Sequence, residues 1–113
     1  MPAKEWVTTL AILKARSVCR SYESSRGTVL AADTVCIVDG KLLGQPVDEV
    51  MAREMVLSMQ SRTHEVLTGW CLKSLGEKRS VHGCETTLVT IGELDAKELD
   101  IYMDSGLWQG KAG

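Results

Sequence analysis

A chain of 113 residues is long enough for one small domain with a single hydrophobic core. Its composition, 44% hydrophobic and 25% charged, is typical of a globular protein, and a formal net charge of -2 gives no electrostatic reason to bind nucleic acid or a membrane surface. The apolar runs are too short to span a bilayer, and the charges among the first 18 residues do not resemble a signal peptide. We therefore expect a cytoplasmic protein that binds neither nucleic acid nor a membrane.

Four widely spaced cysteines occur along the chain, and no two of them form a Cys-x-x-Cys pair. They are Cys19, Cys36, Cys71 and Cys84. This spacing argues against zinc, and we expect reduced thiols that are mostly buried. His64 and His82 are isolated from each other, so a structural or surface position is the expectation for both.

Residues 3–21 predict an amphipathic helix, because Val7, Leu10, Ala11 and Val18 fall near one face. Lys14 follows Val7 by seven residues and therefore lies along the same stripe. Two interpretations stay open for Lys14: it extends along the rim of the core with its charge in water, or it reaches into a site.

An acid inside an apolar run marks the next element. Residues 28–32 predict a strand buried on both faces, and Asp33 follows at its carboxyl end, where α/β sheets place ligands. A buried carboxylate without a partner costs several kcal/mol, so Asp33 needs compensating partners or a cleft. The alternative is an acid that only caps a nearby backbone group.

The segment after Asp33 predicts a hairpin. Asp39-Gly40 suits a type I′ turn between residues 35–38 and 41–43, since both central residues must adopt positive φ. The hairpin returns the chain toward Asp33, and we expect Gln45 to lie near it.

Helices and strands alternate in the rest of the chain. Asp48 is the predicted N-cap of a helix that runs to about residue 60 with a methionine-rich buried face. Strands follow at residues 63–72 and 79–90, and a capping pattern with Asp95 and Glu98 begins a last helix that ends near residues 105–106. This alternation predicts an α/β or α+β layered domain. Neither a Gly-rich phosphate loop nor a Gly-x-Ser-x-Gly elbow is present.

Five motifs occur in an order that resembles one family. Residues 10–15 resemble L-A-x-x-K-A, residues 32–35 resemble the end of G-A-D-T-V, and residues 39–46 resemble D-G-x-x-x-G-K-P. Residues 61–69 resemble S-G-R-T-H-x-V-x-T-G, and residues 102–113 resemble Y-x-x-S-G…D-K-A-G. Together they resemble the Maf family of nucleotide pyrophosphatases, once called septum formation inhibitors.

The resemblance implies an α/β fold: a mixed sheet with flanking helices, similar to the inosine triphosphate pyrophosphatases. It also implies hydrolysis of a nucleoside triphosphate to the monophosphate and pyrophosphate with a divalent metal, Mg²⁺ or Mn²⁺. The A-D-T and R-T-H residues are similar to those of members that favour dTTP and UTP.

The same resemblance implies roles for individual residues. Asp33 matches the catalytic acid or base that acts on the attacking water, and it is the expected metal ligand. Thr34 matches a position linked to base preference, and Lys14 and Lys111 match lysines near the phosphates. Arg62 is either a phosphate contact or a structural loop arginine. Glu65 is expected to face solvent.

The chain also differs from the family pattern. Residues 1–20 contain no counterpart of the family's S-x-S-P-R-R strand and loop, and the sequence stops at Gly113, before the family's Y-G-I-Q-G. Gln45 replaces the lysine of G-K-P, and Gly110 replaces the aspartate of D-K-A-G. Because glutamine carries no charge, a phosphate contact at position 45 would be weaker.

From these differences we expect residues 1–113 to form a single partial Maf-like domain. Three explanations stay open: a fragment or short gene model of an enzyme, a degenerate gene product, or a short homologue completed by a partner chain. A missing central strand would expose unpaired edges and apolar surface, so we expect a homodimer or other self-association. The functional alternatives are a dTTP/UTP pyrophosphatase, an impaired relative that binds nucleotide weakly, and an interaction protein that regulates cell division.

Overall fold

The computed structural model describes residues 2–76 and 79–111. Three helices and four strands occur in these ranges. In chain order they are α1 (Ala3–Ser21), β1 (Thr28–Val38), β2 (Lys41–Leu43), α2 (Glu49–Met59), β3 (Arg62–Ser74), β4 (Ser80–Ile91) and α3 (Ala96–Ser105). The strands form one sheet in the order β2-β1-β3-β4. The predicted α/β class is confirmed. In the described ranges, no helix is long and apolar enough to cross a membrane.

Neighbouring strands in this sheet are antiparallel. In the β1–β2 hairpin, Cys36 pairs with Leu43 and Val38 with Lys41. The turn between them confirms the sequence prediction, since Asp39 and Gly40 have φ values of 49° and 76°. β3 and β4 are also antiparallel, and so are β1 and β3, because residue numbers increase along one strand of each pair while those of the paired residues decrease. The pairs that establish this are Ser74–Arg79, Thr63–Thr90, Gly27–Leu75 and Thr34–Thr68.

The chain divides into two compact units. The first contains Met1–Thr34 and Leu67–Thr86, and the second contains Val35–Val66 and Thr87–Gly113. The boundary falls inside β1, β3 and β4, so each of these strands contributes residues to both units.

The core of the first unit lies between α1 and the strands. Val7, Ala11 and Ala15 are fully buried along one face of α1, and the last two pack with Cys71 of β3. Val18 was predicted to lie on the same face. It is 42% exposed, because this packed cluster ends at Ala15. The helix therefore docks through small side chains, which bring its backbone close to the sheet.

The first half of β1 differs from its prediction. The strand does not end at Ala32 but continues to Val38, so Asp33 lies in mid-strand. The prediction that residues 28–32 are buried on both faces is also wrong. Burial alternates along the strand, and Leu30 is 68% exposed. In this unit the packed cluster contains Val29 and Ala31 together with α1, whereas Leu30 and Ala32 point to the opposite face.

The second unit contains α2 and α3, and both predicted N-caps are confirmed. The Asp48 carboxylate accepts a hydrogen bond from the Met51 N–H at 2.7 Å, and the Asp95 carboxylate accepts one from the Lys97 N–H at 2.9 Å. Each bond satisfies a backbone donor that the first turn of a helix leaves unpaired. Gly106 ends α3 in the left-handed region, at φ 71°.

Two small clusters form the core of this unit. One packs Ala52 of α2 against Leu99 and Met103 of α3, with Trp108 at its edge. The Trp108 indole N–H donates to the Met103 carbonyl oxygen at 3.0 Å, which holds the ring against the end of α3. The other cluster surrounds Met59 and contains Cys36, Val38, Leu43, Val66 and Ile91. The predicted methionine-rich face of α2 is therefore confirmed as core.

Candidate active site

The structure brings Lys14 and Asp33 together. The Lys14 Nζ donates to Asp33 Oδ1 at 2.6 Å and lies 3.4 Å from the Ala32 carbonyl oxygen. The Asp33 side chain is 21% exposed and that of Lys14 is 55% exposed. Lys14 is thus the partner that a half-buried carboxylate requires. Its ammonium contacts the Asp33 carboxylate instead of extending only into water.

The close docking of α1 places Lys14 within reach of Asp33. Gly69 of β3 lies under the first turns of the helix, where a Cβ would be 2.4 Å from the Val7 carbonyl oxygen. Only a residue without a side chain permits this approach. Lys14 lies three residues beyond the buried Ala11 and one before the buried Ala15, so its stem leaves the helix next to the docked face and crosses to β1.

Asp33 keeps a side open to ligands. An ion pair with this much exposure stabilises a fold by about 0–1 kcal/mol, so the pair is a minor part of the folding free energy. An incoming anion can therefore displace the Lys14 ammonium from Asp33 at small cost. In such a pair the carboxylate can orient water while the ammonium binds phosphate oxygens at the same place.

Thr34 makes a different contact. Its hydroxyl forms a hydrogen bond of 2.9 Å with the hydroxyl of Thr68 on β3. Because successive residues of a strand point to opposite faces, Thr34 and Asp33 project from opposite sides of β1. Thr68 was not singled out from the sequence. The sequence does show a threonine on each of the two strands. Their pairing, however, depends on a strand register that the sequence does not specify.

The other three predicted site residues belong to the second unit. Arg62 forms an ion pair with the Asp39 carboxylate at the β1–β2 turn. Gln45 is exposed in the connection after β2. Lys111 is exposed, and its backbone N–H donates to the Trp108 carbonyl oxygen at 3.3 Å. The remaining K-A-G residues, Ala112 and Gly113, lie outside the described residues.

The histidines and cysteines add no ligand cluster in the described ranges. His64 is 5% exposed, and its Nδ1 has no hydrogen-bond partner within them, whereas His82 is exposed. Cys36 and Cys71 are buried, and Cys19 and Cys84 are half-buried. No group of three or more His, Cys, Asp or Glu side chains in these ranges is arranged to hold a metal ion. Glu65 faces solvent, as expected.

Fold and site together define an α/β protein that holds a lysine–carboxylate pair over its sheet. A family model described as Maf-like protein matches residues 1–113, and the chain belongs to the Maf family. The family assignment made from the five motifs is thereby confirmed.

Several curated proteins are similar to nearly the whole chain. A dTTP/UTP pyrophosphatase of Pyrococcus furiosus is 37% identical over 94% of this chain and 55% of its own length. One from Ruminiclostridium cellulolyticum is 38% identical over 99% of this chain and 56% of its own length. One from Salinibacter ruber is 42% identical over 96% of this chain and 52% of its own length. The chain therefore spans about half the length of the curated relatives it matches.

Proposed function

We propose that this chain carries the catalytic carboxylate of a nucleoside triphosphate pyrophosphatase that acts on dTTP- and UTP-type nucleotides. The observation that carries the proposal is the Lys14–Asp33 pair, 2.6 Å apart on the sheet of a Maf-family domain. The matching relatives named dTTP/UTP pyrophosphatase support the substrate class.

The proposed chemistry uses each member of the pair for one task. Asp33 orients the attacking water and accepts its proton, which is the work of a general base. Lys14 moves its ammonium from Asp33 to the phosphate oxygens and neutralises the charge that develops there. The new bond from the water oxygen to phosphorus replaces the anhydride bond between the α- and β-phosphates, so the nucleoside monophosphate and pyrophosphate leave as the two products.

The donor set fits a divalent metal that arrives with the substrate. Mg²⁺ is usually held by one or two carboxylates together with substrate phosphates, so a single carboxylate suffices. Asp33 is the residue that would contribute, and the lack of a three-ligand cluster in the described ranges argues against a permanent protein cage. When bound, the metal would supply charge neutralisation at the phosphates. Mg²⁺ and Mn²⁺ are the proposed ions.

Gln45 supports a second candidate function. It replaces the family lysine with an uncharged side chain, and it is exposed rather than engaged in the core. Under this alternative the chain binds a nucleoside triphosphate weakly through Lys14 and does not turn it over.

One experiment separates the two candidates. Pyrophosphate release is measured from dTTP, UTP, CTP and methylated GTP with Mg²⁺ or Mn²⁺, for the wild-type chain and Asp33→Asn. The first candidate predicts turnover of dTTP or UTP that falls by roughly 10²–10⁴-fold in the variant. If a folded wild-type sample binds nucleotide but releases no pyrophosphate, the second candidate function replaces the first. Thr34, Gln45, Arg62 and Lys111 remain proposed substrate contacts, and substitution of each would be expected to raise KM.

We also propose that the chain self-associates through the uncovered face of the first unit. Leu30 is 68% exposed, Val81 58% and Leu72 36%, and none of the three carries charge. A second copy is the partner we commit to, because these three uncharged side chains can meet their own copies without repulsion. Sedimentation velocity is expected to show a dimer that Leu30→Lys converts to monomer; a concentration-independent wild-type monomer would rule this out.

The cytoplasm is the proposed location, since the substrate class consists of intracellular nucleotides. Septum formation, which the family's older name suggests, is left out of the proposal. No described residue points to a cell-division partner.

A further inference from the structure

A cavity in the first unit carries an excess of positive charge. It measures about 600 Å³, within the range of small-molecule sites, about 300–1,000 Å³. It lies between the second half of α1 and the ends of β3 and β4. Its polar lining consists of Arg16, Arg20 and Glu23 from the helix side and Lys73, Ser74 and Ser80 from the strands. Three cations therefore face one carboxylate in a chain whose net charge is -2.

The cations of this cavity have no ion-pair partner within residues 2–76 and 79–111. The ion pairs there join Lys14 to Asp33, Arg53 to Asp100 and Arg62 to Asp39. Arg16 and Arg20 are four residues apart on one face of α1, where like charges destabilise a helix. The repulsion between Arg16 and Arg20 thus costs folding free energy that no ion pair in the described ranges offsets.

Compensation of the helix dipole explains only one of the three cations. Arg20 lies in the last turn of α1, where a positive charge is favourable. Arg16 lies more than one turn from the helix end, and Lys73 belongs to β3. The dipole effect falls off within the last turn, so it does not account for either of them.

The cavity is separate from the Lys14–Asp33 pair. Residues 14 and 16 are about 200° apart around a helix, so Arg16 leaves α1 on a different side from Lys14. Lys14 contacts β1, whereas the strand residues that line the cavity come from β3, β4 and the connection between them.

We propose that this cavity binds a phosphate oxyanion carrying several negative charges, of the size of pyrophosphate. Two guanidinium groups and an ammonium supply charge-assisted hydrogen bonds, which are shorter and stronger than neutral ones. The Ser74 and Ser80 hydroxyls add neutral donors at the same wall. Guanidinium groups match the paired oxygens of a phosphate, and the like-charge repulsion between Arg16 and Arg20 disappears when a polyanion binds.

The chemistry is shared by free pyrophosphate and by the phosphate tail of a nucleotide. Titration with pyrophosphate alone, with UTP and with uridine distinguishes the sources. If pyrophosphate and UTP bind with equal affinity and uridine does not bind, the cavity recognises the phosphates only. Tighter binding of UTP than of pyrophosphate, lost with the cavity cations, assigns the site to the nucleotide.

The test is calorimetric titration of the full chain with pyrophosphate, without divalent metal and at low ionic strength. In the double variant Arg16→Gln/Arg20→Gln, the affinity of one class of sites for pyrophosphate is expected to fall at least about tenfold. Lys4→Gln, which removes one positive charge from an exposed position of α1 outside the cavity, is expected to change affinity less than about twofold. Raising the salt concentration should weaken binding to the wild type, since Arg16 and Arg20 are exposed and Lys73 is half-buried.

Controls separate binding from folding and from the proposed active site. Arg16→Lys/Arg20→Lys should bind pyrophosphate more weakly than the wild type but more tightly than Arg16→Gln/Arg20→Gln, because the charge stays while the paired guanidinium contacts are lost. Lys73→Gln should weaken binding and serves as the test if the double variant does not fold. Pyrophosphate should raise the melting temperature of the wild type but not of Arg16→Gln/Arg20→Gln. The proposal is overturned if the wild type does not bind pyrophosphate, if only Lys14→Gln abolishes binding, or if the double variant titrates like the wild type.

Discussion

The close approach of α1 to β3 gives a sharp prediction at Gly69. A Cβ at this position would lie 2.4 Å from the Val7 carbonyl oxygen, 2.5 Å from the Val7 carbonyl carbon and 2.6 Å from the Thr8 nitrogen. All three atoms belong to the helix backbone, so no side chain can rotate away. Gly69→Ala therefore requires α1 to move from the sheet.

The magnitude follows from the type of contact. Overpacking a well-packed core typically costs about 1–3 kcal/mol, and a contact with backbone belongs near the upper limit, about 3 kcal/mol. For a domain of this size we expect the melting temperature to fall by roughly 10–20 °C. Because α1 also carries Lys14, the shift should separate Lys14 from Asp33.

Circular dichroism during thermal and urea unfolding measures the effect. Gly92→Ala is the matched control, since a Cβ there meets nothing within 4 Å. It should be neutral or stabilise by up to about 1 kcal/mol, because alanine reduces the freedom of the unfolded chain. A loss below about 0.5 kcal/mol in Gly69→Ala would refute the tight docking of α1.

Three further predictions concern a cap, an ion pair and a buried thiol. Asp95→Ala should cost about 1 kcal/mol of unfolding free energy, measured in urea, because the first turn of α3 loses its acceptor. A double-mutant cycle on the exposed Arg62–Asp39 pair should give a coupling of about 0.2–1 kcal/mol. Burial raises the pKa of the Cys36 thiol above its usual value of 9.0, so iodoacetamide at pH 8.5 should modify Cys36 more slowly than half-buried Cys19.

The raised thiol pKa also sets the sign of a pH effect. The unfolded chain releases the Cys36 proton as pH passes about 9, while the folded chain still holds it. The contribution of Cys36 to stability is therefore present below pH 9 and is lost as pH rises through the higher folded pKa. Cys36→Ala should reduce the alkaline loss of stability. An unchanged alkaline loss, or equal alkylation of Cys36 and Cys19, would contradict the prediction for the thiol. A coupling above about 2 kcal/mol would contradict that for the Arg62–Asp39 pair, and an unchanged unfolding free energy in Asp95→Ala would contradict that for the cap.

Local chemistry was enough to predict several elements. Asp48 and Asp95 are caps because a short acceptor before a helix satisfies its first N–H groups, and this depends only on neighbouring residues. The Asp39-Gly40 turn needs two residues that tolerate positive φ, which is again local. The ends of α1 followed from the spacing of its apolar residues.

Features that depend on register were not predictable in the same way. The Thr34–Thr68 hydrogen bond and the Gly69–Val7 approach join residues 34 and 62 positions apart. The error at β1 has a similar origin. The apolar residues 29–32 do not reveal which face a helix covers, and α1 covers only the side of Val29 and Ala31. The family motifs implied roles for Lys14 and Asp33 in one site, but neither the motifs nor the spacing predicted the contact between their side chains.

The most direct test of the central claim is pyrophosphate release from dTTP and UTP by the wild type, Lys14→Gln, Asp33→Asn and the double variant. Lys14 and Asp33 are proposed to act as one unit, so we predict that the double variant loses no more activity than Asp33→Asn alone, roughly 10²–10⁴-fold. Wild-type rates in Asp33→Asn, or losses that multiply in the double variant, would contradict the claim that this pair forms the active site.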